Sequence, residues 1–303
     1  MNIIIAGGTG FIGRALVHHL LNEGDRVVLL SRKHVHTFPA HQNLSLAQWD
    51  AATPGGWENH LDGVDAVINL AGELIAGKRW SAEQKRRILD SRLNATHAIV
   101  EAIRQANHKP SVLINASAVG YYGNIEEGDV AETHRKGTGF LSDVCEQWEQ
   151  AAMAASLLGV RVVMPRFGVV LDTGGGALPR LLLPFRLGAG GWLGSGTQWF
   201  PWVHLDDVVG SILFAIENNR MEGAFNVTAP EPVPMKEFCS QLGKVMKRPS
   251  WLPVPGFALK IALGEMSEML LTGQRAIPKK LSDLGYKFQY PKLTMTLQAI
   301  LKK

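Results

Sequence analysis

Residues 2–13 read Asn2-Ile3-Ile4-Ile5-Ala6-Gly7-Gly8-Thr9-Gly10-Phe11-Ile12-Gly13. An apolar, β-branched run that stops abruptly at glycines reads as a buried strand ending in a tight loop. The helical spacing of Ala15, Leu16, Leu20 and Leu21 follows, and Arg26 to Leu30 reads as a second strand. Strand, loop, helix and strand make one β-α-β unit with its glycines spaced Gly7xxGly10xxGly13. Glycines let backbone approach an anion closely, and the helix start behind them offers free N–H groups at the positive end of its dipole. The segment predicts pyrophosphate binding at Gly7, Gly10, Phe11, Ile12 and Gly13. A glycine loop alone also serves as a plain turn, and here the flanking strand and helix supply the context the motif requires.

The end of the second strand bears on which dinucleotide fits. An NAD site usually places Asp or Glu there for the ribose hydroxyls, whereas a 2′-phosphate needs a cation and hydroxyl donors. This chain has Ser31-Arg32-Lys33. With no carboxylate present, Arg32 is placed to stack on adenine or grip the phosphate, and Ser31 to donate to it, which selects NADP(H). The plain alternative is a basic surface turn.

Further strands are expected at Asp65 to Leu70, Ser111 to Ala116, Val160 to Met164 and Ala224 to Thr228. Helices are expected at Ser81 to about Arg104, about Phe140 to Leu158, and Val208 to Asn218. Such alternation predicts an α/β fold, a Rossmann doubly wound parallel sheet with a smaller, discontinuous C-terminal substrate lobe. The boundaries read as 1–170 for the NADP(H)-binding domain, with 203–229 returning to it, and 171–202 with 230–303 for the lobe. Ligands of such sheets lie beyond the carboxyl ends of the strands, so Leu70 to Gly72, Ala116 to Ala118 and Pro165 to Val170 should line one crevice.

Composition narrows the function classes. A chain of 303 residues, 46% hydrophobic and 19% charged, is globular rather than disordered. No uninterrupted apolar run is long enough to span a bilayer and no export leader is apparent, so a cytoplasmic protein without a membrane partner is expected. Two cysteines, Cys145 and Cys239, make no disulfide framework or CxxC pair and read as small core residues. Lys78 to Arg92 holds six basic and two acidic residues. That stretch reads as the solvated face of a helix with one or two cations turned toward a phosphate, and nucleic acid is not the expected partner.

Gly7xxGly10xxGly13, Asn69-Leu70-Ala71-Gly72, Ser117-Ala118-Val119-Gly120-Tyr121-Tyr122-Gly123, Pro165-Arg166-Phe167-Gly168 and Trp202-Val203-His204-Leu205-Asp206-Asp207 together resemble the extended short-chain dehydrogenase/reductase superfamily. Within it the chain is similar to a subgroup of epimerase-family proteins once described as cell-division inhibitors. That similarity rests on Asn69 to Glu73, Lys78-Arg79-Trp80, Ser91-Arg92, Leu183 to Gly188, Gly194-Ser195-Gly196 and Gly273-Gln274-Arg275, and covers essentially the whole chain. The resemblance implies NADP(H) binding, with Leu70, Ala71 and Gly72 on the adenine or ribose side, Arg92 contacting the cofactor, and Val170 near the nicotinamide. A small, sugar-like substrate under a closing lobe is implied as well. Members often pair through helices of the Rossmann domain, so a homodimer is compatible with the resemblance.

The chemistry departs from that superfamily. Its active members carry a YxxxK pair in which a tyrosine moves the hydroxyl proton and a lysine lowers its pKa, giving a proton carrier poised beside the reacting carbon. Aligning Glu149 with the glutamate that follows the pair puts Leu141 and Cys145 at the two positions, and neither does that work. Candidate substitutes are Ser117 and Tyr122, with Tyr121 beside it: one phenol donating to an oxyanion, or both packed in the core. Ser117 is an approximate stand-in, because an ungapped match puts Ala118 at the catalytic serine.

Other candidates weigh less. His204 has acidic neighbours, yet Asp206 and Asp207 read more simply as the first turn of a helix. No metal motif emerges: His18 and His19 point to different helix faces, and His34 and His36 sit in a polar loop. Gly174 to Gly196 is expected to floor the substrate lobe, where Arg180 and Arg186 either hold an anion or cover apolar surface with their stems. A C-terminal helix from about Phe257 to Leu271 is expected to place Met266 and Met269 in core or lid packing. Two functions follow: an NADP(H)-dependent oxidoreductase or epimerase with a non-standard proton donor, or an NADP(H)-binding redox-sensing or scaffold protein without turnover.

Overall fold

Successive isoleucines of the first strand serve two different cores. Ile3 and Ile5 join one apolar cluster while Ile4 joins another, and all three are essentially inaccessible. A strand buried on both faces is the reason the run is apolar throughout rather than alternating. The computed structural model describes residues 1–32 and 38–302. Lys33, His34 and His36 lie outside the described residues.

In chain order the elements are β1 (Asn2–Ala6), α1 (Phe11–Asn22), β2 (Arg26–Ser31), β3 (Leu44–Gln48), β4 (Ala66–Asn69), α2 (Ala82–Gln105), β5 (Val112–Asn115), β6 (Ser117–Ala118) and β7 (Asp129–Val130). There follow α3 (Phe140–Met153), β8 (Arg161–Phe167), β9 (Val169–Asp172), β10 (Gly175–Gly176), α4 (Leu178–Arg186), β11 (Trp199–Phe200), β12 (Trp202–His204) and α5 (Leu205–Glu217). The last third adds β13 (Gly223–Val227), β14 (Val233–Pro234), α6 (Met235–Met246), α7 (Gly256–Leu263), α8 (Glu268–Leu271), β15 (Arg275–Ala276), α9 (Lys279–Asp283) and α10 (Leu293–Leu301).

The main sheet runs β3-β2-β1-β4-β5-β8-β13, with β6 added to β8. Its pairings are parallel, as in β1 with β2 and with β4, so the fold is the doubly wound Rossmann arrangement. The strand β3 is absent from the sequence reading. Among its five residues only Ala47 is buried, so the alternation of Leu44 and Leu46 marks no buried face. Helix α2 begins at Ser81, whose hydroxyl accepts from Gln84 N at 3.1 Å. Ile88, Arg92, Ala95, Ile99 and Ile103 form its buried stripe, while Arg86 and Arg87 are exposed.

A separate core gathers Leu171, Leu178, Leu182 and Phe185 with Phe238, Leu242, Leu297 and Ile300. This is the smaller lobe, built on α4, α6 and α10. The chain does not stay there: Leu281 belongs to the sheet's own core, and Tyr286 and Phe288 pack against it. Asp207, in the first turn of α5, fixes that return by accepting from Gln289 N at 2.7 Å and Tyr290 N at 2.9 Å. The helix expected over Phe257 to Leu271 is broken instead at Gly264, whose φ of +62° ends α7. Among the described residues no helix is long and apolar enough to cross a membrane.

Candidate cofactor and active site

At the carboxyl end of β1 the chain turns so tightly that side chains are excluded by backbone. A Cβ on Gly7, whose φ is +79°, would lie 2.6 Å from the carbonyl carbon of Leu70. One on Gly13 would lie 2.4 Å from the Gly7 oxygen and 2.5 Å from Gly8 Cα. The glycines therefore let α1 start directly against the strand ends, which is the close approach an anion site of this type needs. Gly10 is the N-cap of α1 and no side chain caps the helix, so its first-turn N–H groups remain available to an anion. Ser31 ends β2 half-buried, and Arg32 follows it exposed.

The neighbouring loop is held by buried amides. Asn69, at the end of β4, donates to Asn115 Oδ1 at 2.7 Å and Thr96 Oγ1 at 3.0 Å, and accepts from Ala71 N at 3.1 Å. Trp148 Nε1 completes the cluster on Thr96 at 3.0 Å. These bonds fix Leu70, Ala71 and Gly72 as a rigid edge of the crevice. The sequence reading passed over Asn69, Thr96 and Asn115 as functional residues; the available signal was an asparagine closing each of two otherwise apolar strands.

Arg92 reaches this edge from α2. Only 7% exposed, it donates from Nη1 to the Glu73 oxygen at 3.1 Å and the Ile88 oxygen at 2.8 Å, and its guanidinium lies 5.0 Å from the Trp148 ring. A Cβ on Gly72 would come within 3.1 Å of that guanidinium, so glycine there makes room for it. Burial pulls its pKa below the ordinary arginine value, with Cys145 and Glu73 opposing. An arginine nonetheless stays charged. Among the described residues Arg92 forms no ion pair with a carboxylate, which leaves a buried cation suited to an anionic ligand.

The glycine-rich segment divides. Leu178, Leu182 and Phe185 pack in the core of the smaller lobe, whereas Gly175 and Gly176 form a hairpin with β9 that closes over Phe11 at the start of α1. A Cβ on Gly175 would meet the Phe11 ring at 2.6 Å. Val170, in β9, is 9% exposed and belongs to the apolar cluster on which Phe11 and Ile12 pack. Arg180 spends one amino group on the Ala76 oxygen at 3.0 Å, linking α4 to the loop after β4.

The two proton-transfer candidates are both buried. Ser117 and Tyr122 are 2% and 1% exposed. Ser117 Oγ donates to Glu149 Oε1 at 2.6 Å, and Arg166 closes on the same carboxylate through Nε at 2.8 Å and Nη2 at 2.7 Å. Tyr122 Oη donates to Asn226 Oδ1 at 2.7 Å and accepts from Arg166 Nη1 at 2.9 Å. Burial pushes the Tyr122 phenol up to about 12 against the charge of Arg166. Both hydroxyls are thus hydrogen-bonded within one buried network. Tyr121 is half-buried with its ring 3.5 Å from the Arg166 guanidinium.

Helix α3 carries Leu141 and Cys145 at the positions of the absent pair. Burial, then the charge of Glu149, pushes the Cys145 thiol up to about 11, so it is a packed thiol rather than an acid or nucleophile at neutral pH. His204 is the N-cap of α5: its Nδ1 accepts from Asp206 N at 3.0 Å, and its ring stacks 3.8 Å from Tyr290. The Asp206 carboxylate lies 3.6 Å from the same Nδ1, which cannot donate to it while accepting from Asp206 N, so the arrangement is that of a helix cap. Gln274 was quoted for resemblance only; it is buried and donates to the Val119 oxygen at 2.6 Å, pinning the loop ahead of the tyrosines.

Residues 3–228 match the NAD dependent epimerase/dehydratase family, and residues 254–300 match a domain of unknown function (DUF1731). The chain is 43% identical to the epimerase family protein SDR39U1 homolog, chloroplastic, of Arabidopsis thaliana, over 100% of this chain and 87% of that protein. It is 42% identical to the epimerase family protein YfhF of Bacillus subtilis, over 99% and 98%. The crystal structure of human epimerase family protein SDR39U1 (isoform 2) with NADPH superposes with a TM-score of 0.89 at 34% identity, covering 100% of both chains.

Proposed function

The chain belongs to the NAD dependent epimerase/dehydratase family, and from that premise we propose that it binds NADP(H) and acts as an oxidoreductase or epimerase on a small, sugar-like substrate. The observation that carries the reading is the uncapped start of α1 under Gly7 to Gly13, held so close to the strand ends that a Cβ at Gly7 or Gly13 would collide with backbone. Arg92 adds a buried cation at the edge of the same crevice. Arg32 and Ser31, where an NAD site would carry a carboxylate, favour the 2′-phosphate. That a human relative was crystallised with NADPH supports the same choice.

When bound, the nicotinamide supplies or accepts a hydride. This chain's contribution to such a step is positional: Asn69 holds the Leu70 to Gly72 edge, Phe11 under the β10 hairpin closes the helix start, and Arg180 ties α4 to the loop after β4. A proton would have to travel by a route other than the usual pair, since Leu141 carries none and the Cys145 thiol holds its own.

A second reading is favoured by the sealed Ser117, Glu149, Arg166 and Tyr122 network: a protein that binds NADP(H) without turnover, as a redox sensor or scaffold. Calorimetric titration with NADPH, NADP and NADH, beside Arg32→Ala, tests the shared premise. Tight NADPH binding that the variant weakens by at least about tenfold, with NADH weak and unchanged, is expected for the loss of charge-assisted bonds. No binding of any nucleotide would remove both readings. Oxidation of protein-bound NADPH by a panel of carbonyls and keto sugars then separates them, because persistent inertness sinks the enzyme.

A further inference from the structure

Two stretches of the chain, 173–205 and 238–264, contain no Asp or Glu. They hold Arg180, Arg186, Lys244, Lys247, Arg248 and Lys260. The fold lays them side by side: Ser250 pairs with Gly190 and Val254 with Leu193, while Trp251 N and Leu252 N both donate to the Gly190 oxygen at 3.0 and 3.1 Å. The end of α4 is thereby joined to the start of α7 along one edge of the smaller lobe.

That edge is apolar as well as basic. Helix α7, Gly256-Phe257-Ala258-Leu259-Lys260-Ile261-Ala262-Leu263, has no buried residue. Phe257 and Ile261, one turn apart, are 68% and 74% exposed, Leu187 at the end of α4 is 75% exposed, and Trp251 between them 64%. A short apolar helix normally draws its stability from burying a face. Large side chains this exposed stand out from the surface as knobs and line no groove. Arg186, Lys247, Arg248 and Lys260 are exposed among them.

We propose that this edge docks the protein peripherally on an anionic phospholipid surface, with Leu187, Trp251, Phe257 and Ile261 entering the headgroup boundary and the cations facing phosphates. The charge decides among occupants. A second copy seated on the same face would bring the cations of both stretches together, the carboxylates beyond α7 being Glu265, already paired with Lys85, and Glu268. A protein partner would need a fitted pocket for each knob, whereas the interfacial region of a bilayer yields to them. Aromatic and aliphatic tips ringed by Lys and Arg are the composition that such an interface holds. The proposal needs no spanning helix and does not depend on the cofactor reading.

Sedimentation of the full-length protein with vesicles of phosphatidylcholine, with and without phosphatidylglycerol, tests it. Binding is expected only with phosphatidylglycerol present and is expected to fall as salt rises. Two paired variants, Lys247→Ala with Arg248→Ala and Phe257→Ala with Ile261→Ala, should each lower the partition by on the order of tenfold. All these positions are exposed, so the thermal midpoint of each variant should match the parent and report that it is folded. Failure of the parent to bind phosphatidylglycerol vesicles overturns the proposal, as does undiminished binding by folded variants. Sedimentation velocity supplies the other outcome: a dimer that Phe257→Ala with Ile261→Ala dissociates would assign the edge to a second copy.

Discussion

The turn between β1 and α1 and the polar cluster between α3 and β8 are both built on the Rossmann sheet, and they treat hydrogen bonding in opposite ways. At the turn, backbone donors are left open: Gly10 caps α1 without a side chain, and Arg92 nearby donates to carbonyls and, among the described residues, forms no ion pair. In the cluster, donors and acceptors are consumed within the chain, from Ser117 through Glu149 and Arg166 to Tyr122 and Asn226. An open set of donors is a site awaiting an anion, and a closed network is scaffold. On the proposed reading, the difference is how a chain keeps a cofactor cradle while Ser117 and Tyr122 are bound into a network of its own side chains.

The strongest way to break that contrast is to open the closed side. Glu149→Ala removes the partner of Arg166, whose side chain is 5% exposed, and leaves an uncompensated buried charge. Stability is expected to fall by about 3–5 kcal/mol in denaturant unfolding. Pairing it with Arg166→Met should recover much of the loss, because two apolar residues need no partner. A loss below 1 kcal/mol for the single change, by about the measure of a surface pair, would mean that water already reaches the cluster.

Gly13→Ala attacks the open side with a smaller effect on folding and a larger one on binding. Its Cβ would meet the backbone of Gly7 and Gly8, which cannot rotate away as a side chain can. About 1–3 kcal/mol of stability should be lost to overpacking. NADPH binding by calorimetry should become undetectable, since α1 must shift away from the strand ends. Retained affinity in a folded Gly13→Ala protein would show that the helix start is not what holds the pyrophosphate.

How far each region is legible in the sequence follows from the same contrast. Backbone sites leave a signature in residue type, because only glycine tolerates the approach at Gly7 and Gly13, so the nucleotide half can be read from the chain alone. Side-chain networks join distant positions, and nothing local announces that Tyr122 will meet Asn226, or that Glu149 will meet Arg166. Tyr122 and Ser117 therefore look like candidate donors until their partners are known. The β10 hairpin over Phe11 was hidden for a related reason: Gly174 to Gly176 signals a close approach without naming what approaches. The break at Gly264 is masked because Met266 and Met269 continue the helical spacing past it, and β3 because its only alternation, Leu44 and Leu46, is short and mostly exposed.

Tyr122→Phe is the mildest intervention and discriminates most finely between a scaffold phenol and a catalytic one. Removing the hydroxyl leaves Arg166 Nη1 and Asn226 Oδ1 short of a partner each, which should cost about 1–2 kcal/mol. NADPH affinity, and any turnover found, should be unchanged. The pH dependence carries an independent signature. Burial pushes the folded phenol up to about 12, above the ordinary tyrosine value of about 10. The neutral phenol therefore contributes its stability in full below about pH 10, and that contribution is lost as pH rises through about 12. Stability measured against pH should fall more steeply for the parent than for Tyr122→Phe across that window, the difference isolating Tyr122 from other tyrosines. Parallel curves, or a turnover that collapses with the hydroxyl, would mean that the phenol ionises within reach of the crevice and belongs to the open side after all.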